Sequence, residues 1–313
     1  MNTSFVVYGC LNTVVILLLS PLMMGLIKKV KAYAQRRKGP PLLQTYYHLE
    51  KLFKKESVYS SNSSVIMRVT PWVNIVFMLA ASLFVPVIFI PDPVSGIGNV
   101  ILFLYLMVAA KFFMALAGLD AGSTFGGMGS SREMNFSAIV EPVVIIVFAA
   151  LAFVLQTTSL HEMFAATVDS SVVSNPTLIL ISIALFIVLI VETSRIPVDN
   201  PETHLELTMI HEAMILEYSG PNLALMEVSH AIKQTLLMGI LINILVPWGL
   251  ATEMTAGGIG VGIAMFAAKA LVLAVLVGVF ESSIAKLRLF RLPMLFAMAY
   301  TFSFLTILFE LLS

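Results

Sequence analysis

Charge is what this sequence has least of. Only 12% of its 313 residues are Asp, Glu, Lys or Arg, 18 of each sign, against roughly 25% in an average soluble domain. Together with 59% hydrophobic residues, that scarcity excludes a soluble globular chain. Apolar stretches of about 20 residues favour membrane-spanning helices over a barrel. A net charge of zero removes any bulk electrostatic case for nucleic acid. One cysteine, Cys10, excludes an intramolecular disulfide, a four-cysteine zinc site and an iron–sulfur cluster held by this chain alone. Histidine is scarce too. Of His48, His161, His204, His211 and His230, only His230 borders an apolar run, so no b-type haem is expected.

What is present in abundance is the long apolar run. The runs predict an all-α, polytopic membrane protein forming a single transmembrane domain over 1–313. Its eight spans are expected at about 5–27, 70–91, 99–119, 136–157, 177–194, 229–250, 259–285 and 293–311. The leader MNTSFVVYGC has no Lys or Arg, and the run after it is too long for a signal-peptide core, so an uncleaved first span is expected. The connection 28–69 carries ten basic residues, and Arg132, Arg195, Lys286, Arg288 and Arg291 fall in connections of the same side. The opposite side has none. By the positive-inside rule both termini lie outside and the long connections in the cytoplasm.

Three lysines and three glutamates fall within or near the ends of spans: Lys111, Lys233, Lys269, Glu141, Glu192 and Glu281. A charge at the bilayer centre costs at least ~2.5–3.5 kcal/mol on insertion scales, so such residues face a bundle interior or a wet cavity unless they reach the interface from a helix end. Lys269 and Glu281 fit the second description. Lys111, Glu141 and Lys233 sit deeper and predict a polar interior.

Two cytoplasmic connections stand out. In RRKGPPLLQTYYHLEKLFKKE (36–56) a basic cluster and a Gly-Pro-Pro break precede Leu42, Tyr46, Leu49 and Phe53 at helical spacing. This predicts an amphipathic helix, read either as a membrane-surface anchor or as a ledge for a soluble partner. A second amphipathic helix is expected in 195–228. The stretch 192–220, ETSRIPVDNPETHLELTMIHEAMILEYSG, holds six of the eighteen acids: Glu192, Asp199, Glu202, Glu206, Glu212 and Glu217. Asn200 and Pro201 read as an N-cap and first helical residue. Leu, Met and Ile between the acids predict partial burial, where desolvation and mutual repulsion make carboxylates protonable near neutral pH. The alternative is a docking helix whose acids face solvent or a basic partner. His204 and His211 could join a proton relay; they lack the i,i+4 spacing of a zincin site, so no metal is expected. The Gly-rich 120–133, DAGSTFGGMGSSRE, has neither a Walker spacing nor GxGxxG and reads as a close-packed turn.

RRKGPPLLQTYYHLEKLFKKE, the Gly-rich segment ending SRE, IPVDNPETHLELT and LEYSG together resemble the complex I subunit 1 family, in its branch from membrane-bound group 4 NiFe hydrogenases and formate hydrogenlyases. The resemblance covers essentially the whole chain. Quinone-reducing members typically carry a GPNRVGP-like first loop and a later Pro-Phe-Asp-like run. Here those segments read Gly39-Pro40-Pro41-Leu42 and Ile196-Pro197-Val198-Asp199, departures that favour the hydrogenase branch.

The resemblance implies a non-catalytic subunit of an oxidoreductase complex, with no redox centre of its own, in a prokaryotic cytoplasmic (inner) membrane. Its implied partners are NiFe hydrogenase large and small subunits and ferredoxin-like Fe–S subunits, which would hold the NiFe centre and the Fe–S clusters, together with antiporter-like membrane subunits. Spans two to six would resemble the five-helix unit of those antiporter-like subunits. Carried onto this chain, the residues linking redox events to H+ or Na+ movement would be Lys111, Glu133, Glu141, Glu192, Asp199, Glu202, Glu206, Glu212, Glu217 and Lys233. The soluble arm would dock on Arg36, Arg37, Lys38, Gly39, Pro40, Lys51, Lys54, Arg132 and Arg195, the two latter arginines as surface charge partners. A quinone-site subunit of a complex I-like NADH or ferredoxin:quinone oxidoreductase, a stand-alone transporter and a purely structural anchor remain as alternatives. No half-to-half inverted repeat is visible to support the transporter.

Overall fold

The computed structural model describes residues 3–90, 98–169, 176–199, 209–250, 256–288 and 291–312. Among them the backbone forms α1 (Thr3–Ala34), α2 (Gln44–Phe53), α3 (Val65–Ser82), α4 (Val100–Asp120), α5 (Thr124–Leu155), α6 (Leu160–Asp169), α7 (Pro176–Glu192), α8 (His211–Ile215), α9 (Gly220–Leu245), α10 (Ala256–Ser283) and α11 (Leu292–Leu312). The all-helical expectation holds. Among the described residues seven helices are long and apolar enough to cross a membrane: α1, α3, α4, α5, α9, α10 and α11. The eighth expected span is α7, an apolar helix of 17 residues. At 1.5 Å per residue it covers about 26 Å, short of a ~30 Å hydrocarbon core.

Helix α9 is the axis of the bundle, buried along nearly its whole length. Helices α1, α3, α7 and α10 pack around it, with α4 against α3, and α5 and α11 closing over α7. Caps fix several starts. Ser64, Asn99 and Ser123 accept hydrogen bonds from Ile66, Ile101 and Gly126 amides at 3.3, 2.8 and 3.1 Å, each satisfying an amide that the first helical turn leaves open.

The three boundaries that differ most from expectation each do so for a physical reason. The second span was expected to reach residue 91, but α3 stops at Ser82, just before Pro86, which lacks an amide proton and disfavours helix in the residue before it. The segment 83–90 that follows is irregular yet buried, with Val85, Val87, Ile88 and Phe89 at 0–3% exposure. Buried irregular backbone needs internal partners. Asn12 of α1 supplies them, donating to Ser82 and Val85 carbonyls at 2.7 and 2.9 Å and accepting from the Val87 amide at 3.1 Å. Asn243 of α9 adds a bond to the Pro86 carbonyl at 2.8 Å.

The Gly-rich stretch is not a turn but mostly the first turns of α5, which begins at Thr124 rather than near 136. Close packing does explain its glycines. A Cβ at Gly126 would sit 2.4 Å from the Gly118 carbonyl oxygen, and one at Gly129 would sit 2.8 Å from the Ala213 Cβ. Helix α9, expected from 229, starts at Gly220, where Pro221 fits the first turn because its missing amide proton has no helical partner to lose.

At one end of the bundle the long connections converge. The Val58 amide donates to Ser219 Oγ at 2.8 Å and the Leu287 amide to the Pro197 carbonyl at 3.0 Å. Helix α2 lies here. Of its predicted stripe, Leu49 is buried and Tyr46 half-buried, with the Tyr46 hydroxyl donating to the Leu18 carbonyl, while Leu42 and Phe53 are exposed and Leu52 takes the second buried place. At the other end α6, Gly98 and the irregular 83–90 segment meet. Buried His161 packs edge-on against Tyr8 there.

Candidate functional site

Four helices deliver charge to one buried point. Lys111 projects from α4, Glu133 from α5, Glu192 from the last turn of α7 and Lys233 from α9. Glu192 accepts from Lys111 Nζ at 2.9 Å and from Lys233 Nζ at 2.6 Å. Glu133 stands 3.9 Å from Lys111. The four side chains are 8–13% exposed. Two lysines and two glutamates cancel in formal charge, which is how ionisable groups persist inside a membrane protein. These four expected residues are therefore brought together. Glu141 lies two turns further along α5 and lines an apolar-walled cavity of about 330 Å³ that also reaches Glu192 and Lys233.

A second buried cluster begins where α7 ends. Arg195 donates to Glu281 of α10 at 2.7 Å and to Gln234 of α9 at 2.6 Å, and Lys31 of α1 lies 3.7 Å from the other Glu281 oxygen. Two expectations are corrected here. Glu281 is 5% exposed and does not reach out from a helix end, and Arg195 is 8% exposed and not a surface residue. The cause is mutual: each supplies the countercharge that makes the other's burial tolerable. Lys269 is not at the end of its helix either: it lies midway along α10, and its Nζ donates to the Val246 carbonyl at the C-terminal end of α9 at 2.8 Å.

Asp199, also expected in the path, is held by Lys286 Nζ at 2.7 Å and by the Ile210 and His211 amides at 2.9 and 3.2 Å. It thus ties the acidic connection to the segment after α10. Arg132 faces the same connection, donating to the Met209 carbonyl at 2.8 Å, and so is half-buried rather than displayed.

Between these clusters and α2 lies a chamber of about 370 Å³, lined by Pro40, His48, Arg195, His211, Glu212 and His230 among others. His48 of α2 meets Glu227 of α9 at 3.1 Å on its wall. Burial pushes the Glu212 carboxyl up from its ordinary range and the His211 imidazole down, because each loses the water that solvates its charged form.

The remaining expected residues separate by exposure. Glu217 is exposed and apart from the buried acids. Glu202 and Glu206, with His204, lie outside the described residues, as do Asn200 and Pro201. Arg36, Arg37, Lys38, Lys51 and Lys54 are exposed on the end where the long connections converge. Gly39 adopts φ 67°, a left-handed conformation that favours glycine, and a Cβ there would also sit 2.8 Å from the Ala32 Cβ. Sequence reasoning missed Lys31, Gln234 and the inward role of Glu281. An acid alone in the last turns of an otherwise apolar α10 was the available signal. As for metal or cluster ligands on this chain, Cys10 is exposed, and no group of three or more His, Cys, Asp or Glu among the described residues is placed to hold an ion.

Helices that carry paired charges into a bundle interior, with cavities on either side of them, define a polytopic membrane protein with an internal charged path. A family model described as NADH dehydrogenase matches residues 7–311, and the chain belongs to that family. It is 32% identical over 281 residues to hydrogenase-4 component C of Escherichia coli (strain K12), covering 90% of this chain and 88% of that one. It is 30% identical over 300 residues to formate hydrogenlyase subunit 4 of the same organism, covering 96% and 97%. The NADH-ubiquinone oxidoreductase chain 1 of Triticum aestivum is more distant, at 23% identity over 240 residues and 72% of each chain. A chain of the membrane-bound sulfane sulfur reductase, an archaeal respiratory membrane complex, shares the fold with a TM-score of 0.78 at 19% identity, covering 96% of this chain and 99% of that one.

Proposed function

We propose that this chain is the membrane-anchoring and energy-coupling subunit of a multisubunit membrane-bound oxidoreductase complex of the NiFe hydrogenase or formate hydrogenlyase kind. The two Escherichia coli relatives, aligned over nearly their full lengths, support the hydrogenase branch. In this reading the NiFe centre and Fe–S clusters belong to hydrogenase large and small subunits and ferredoxin-like partners, and antiporter-like subunits lie beside it in the membrane. The exposed basic residues of 36–54 receive the soluble arm. The excess of basic residues in the converging connections supports a cytoplasmic placement for them, in a prokaryotic inner membrane.

The observation that carries the coupling role is the Lys111–Glu192–Lys233 cluster with Glu133 beside it. A carboxylate shared by two lysines from different helices responds to any shift of local charge by redistributing its ion pairs, and H+ or Na+ can follow. Glu192→Gln and Glu141→Gln, made in the whole complex, test this in membrane vesicles. Electron transfer in the detached soluble arm should be unchanged, while ion-gradient formation by the complex falls at least tenfold. Gradient formation at the parental rate in both variants would sink the coupling role.

One observation favours a second reading. The 370 Å³ chamber is walled by α2 and the acidic connection, within the size range of small-molecule sites, as a quinone site would require. Quinone co-purifying with the complex, or inhibition by quinone analogues, would establish that reading. Activity indifferent to both favours the hydrogenase assignment.

A further inference from the structure

His211 and His230 come from different elements, α8 and α9, yet their ring centroids lie 4.4 Å apart with the planes tilted by 40°. Their position matters more than their closeness. The 370 Å³ chamber lies on one side of them. On the other is a cavity of about 40 Å³ bordered by Lys111, Glu133, Glu192 and Lys233. Among the described residues only three line both spaces: Ser194, His211 and His230. The pair is the partition between chamber and charged cluster. Of the three, only the imidazoles both take up and release a proton at physiological pH. A metal role is not supported, since no third His, Cys, Asp or Glu among the described residues completes a ligand set with them.

We propose that His211 and His230 are the proton link between the chamber and the buried lysine–glutamate cluster. The inference rests on the coupling role proposed for that cluster and names its entry step. A proton from the chamber binds the unprotonated ring nitrogen of one histidine. That ring's other N–H, or the neighbouring ring reached directly or through one water, gives a proton to a carboxylate of the inner cavity. One proton enters for each that leaves, and no electron moves. Glu133 is the natural acceptor. Among the described residues its one ion-pair contact is the long 3.9 Å approach to Lys111, whereas Glu192 is closely paired with two lysines.

The charges around the pair fit this direction. Glu212 and Glu227 face it from the chamber side, on α8 and α9, along with Asp199, Arg195 and Lys28 of the chamber wall, and Lys233 faces it from the inner side. Acids beside the entrance draw a proton in. A lysine beyond discourages a stable imidazolium, and the second ring repels a second charge. The pair is therefore suited to pass single protons rather than to store them.

The test uses the complete complex in sealed vesicles, with electron transfer and proton movement (a pH-sensitive dye) measured together. His211→Gln and His230→Gln should each lower proton movement at least tenfold at unchanged subunit content. In His230→Ala, imidazole added to the medium should enter the chamber and restore proton movement, which a merely structural defect would not allow. A check without substitution is carbethoxylation of the parental complex. Proton movement should fall in proportion to modification of His211 or His230, followed by peptide mass, and hydroxylamine should reverse both. Parental proton movement in both glutamine variants, or proton movement surviving full modification of the pair, overturns the proposal. If the parental complex moves neither H+ nor Na+, the coupling role fails first. If it moves only Na+, or moves H+ and the histidine variants do too, only the histidine link fails.

Discussion

Arg195 Nη1 lies 2.7 Å from Glu281 Oε1, an ion pair between residues 86 positions apart that joins the end of α7 to the last turns of α10. Lys31 of α1 approaches the same carboxylate at 3.7 Å, so one acid neutralises cations from two other segments. Removing it should be costly. Glu281→Ala takes the carboxylate away from between Arg195 and Lys31, and breaking a buried pair in this way costs ~3–5 kcal/mol. The double variant Arg195→Met, Glu281→Leu should be less destabilised than Glu281→Ala alone, because it removes one of the two cations along with the acid. Thermal unfolding of the detergent-purified complex measures both. A double variant no better than the single would show that the pair's electrostatics do not hold this junction.

Asn12 offers a sharper stability test, because it is uncharged. Its amide satisfies the Ser82 carbonyl at the end of α3 and two backbone groups, the Val85 carbonyl and the Val87 amide, of the buried irregular segment after it. Leucine fills a similar volume but bonds to none of them. Each buried polar group left unsatisfied costs ~1–3 kcal/mol, so Asn12→Leu should lower stability by roughly 3 kcal/mol or more. Asn12→Ser should fall between. Hydrogen–deuterium exchange over 82–90 should accelerate in step; unchanged protection there would contradict the assigned role.

The chamber wall should give the protein an opposing pair of pH responses. Burial raises the Glu212 carboxyl. Its contribution to stability is full below the ordinary carboxylate value of ~4.3 and is lost as pH rises through the raised folded value. Glu212→Gln removes that loss, so the variant should unfold at higher temperature than the parent near neutral pH, with the advantage fading as the medium is acidified. His211 runs the other way. Burial lowers it, so its contribution is present above the ordinary value of ~6.5 and is lost as pH falls through the lowered folded value. His211→Gln should remove that acid-side loss. Unfolding temperatures between about pH 4 and 8 check both signs, spanning the two ordinary values.

Much of the site could be read from residue type and depth alone. Lys111, Glu192 and Lys233 are ionisable side chains in or at the ends of apolar helices, and the insertion cost of such groups makes a shared interior the favourable arrangement. The Gly-rich segment was legible as close packing but not as helix. Glycine lowers helix propensity, and the gain that reverses this is the backbone approach of Gly126 to Gly118, a contact between helices. Arg195 and Glu281 misled for a related reason. Each alone looks like a surface or interface charge, and only its partner, far away in sequence, makes burial possible.

The amino-acid sequence by itself determined the membrane location and the all-helical class. Both depend on quantities summed along the chain: apolar length and the scarcity of charge. Tertiary structure decided which charges meet. Four helices place two lysines and two glutamates at one point, Arg195 turns inward to Glu281, and His211 and His230 form the wall between two cavities. Each of these depends on helix rotation and crossing, which are set by packing around α9, and no local pattern of residues encodes them.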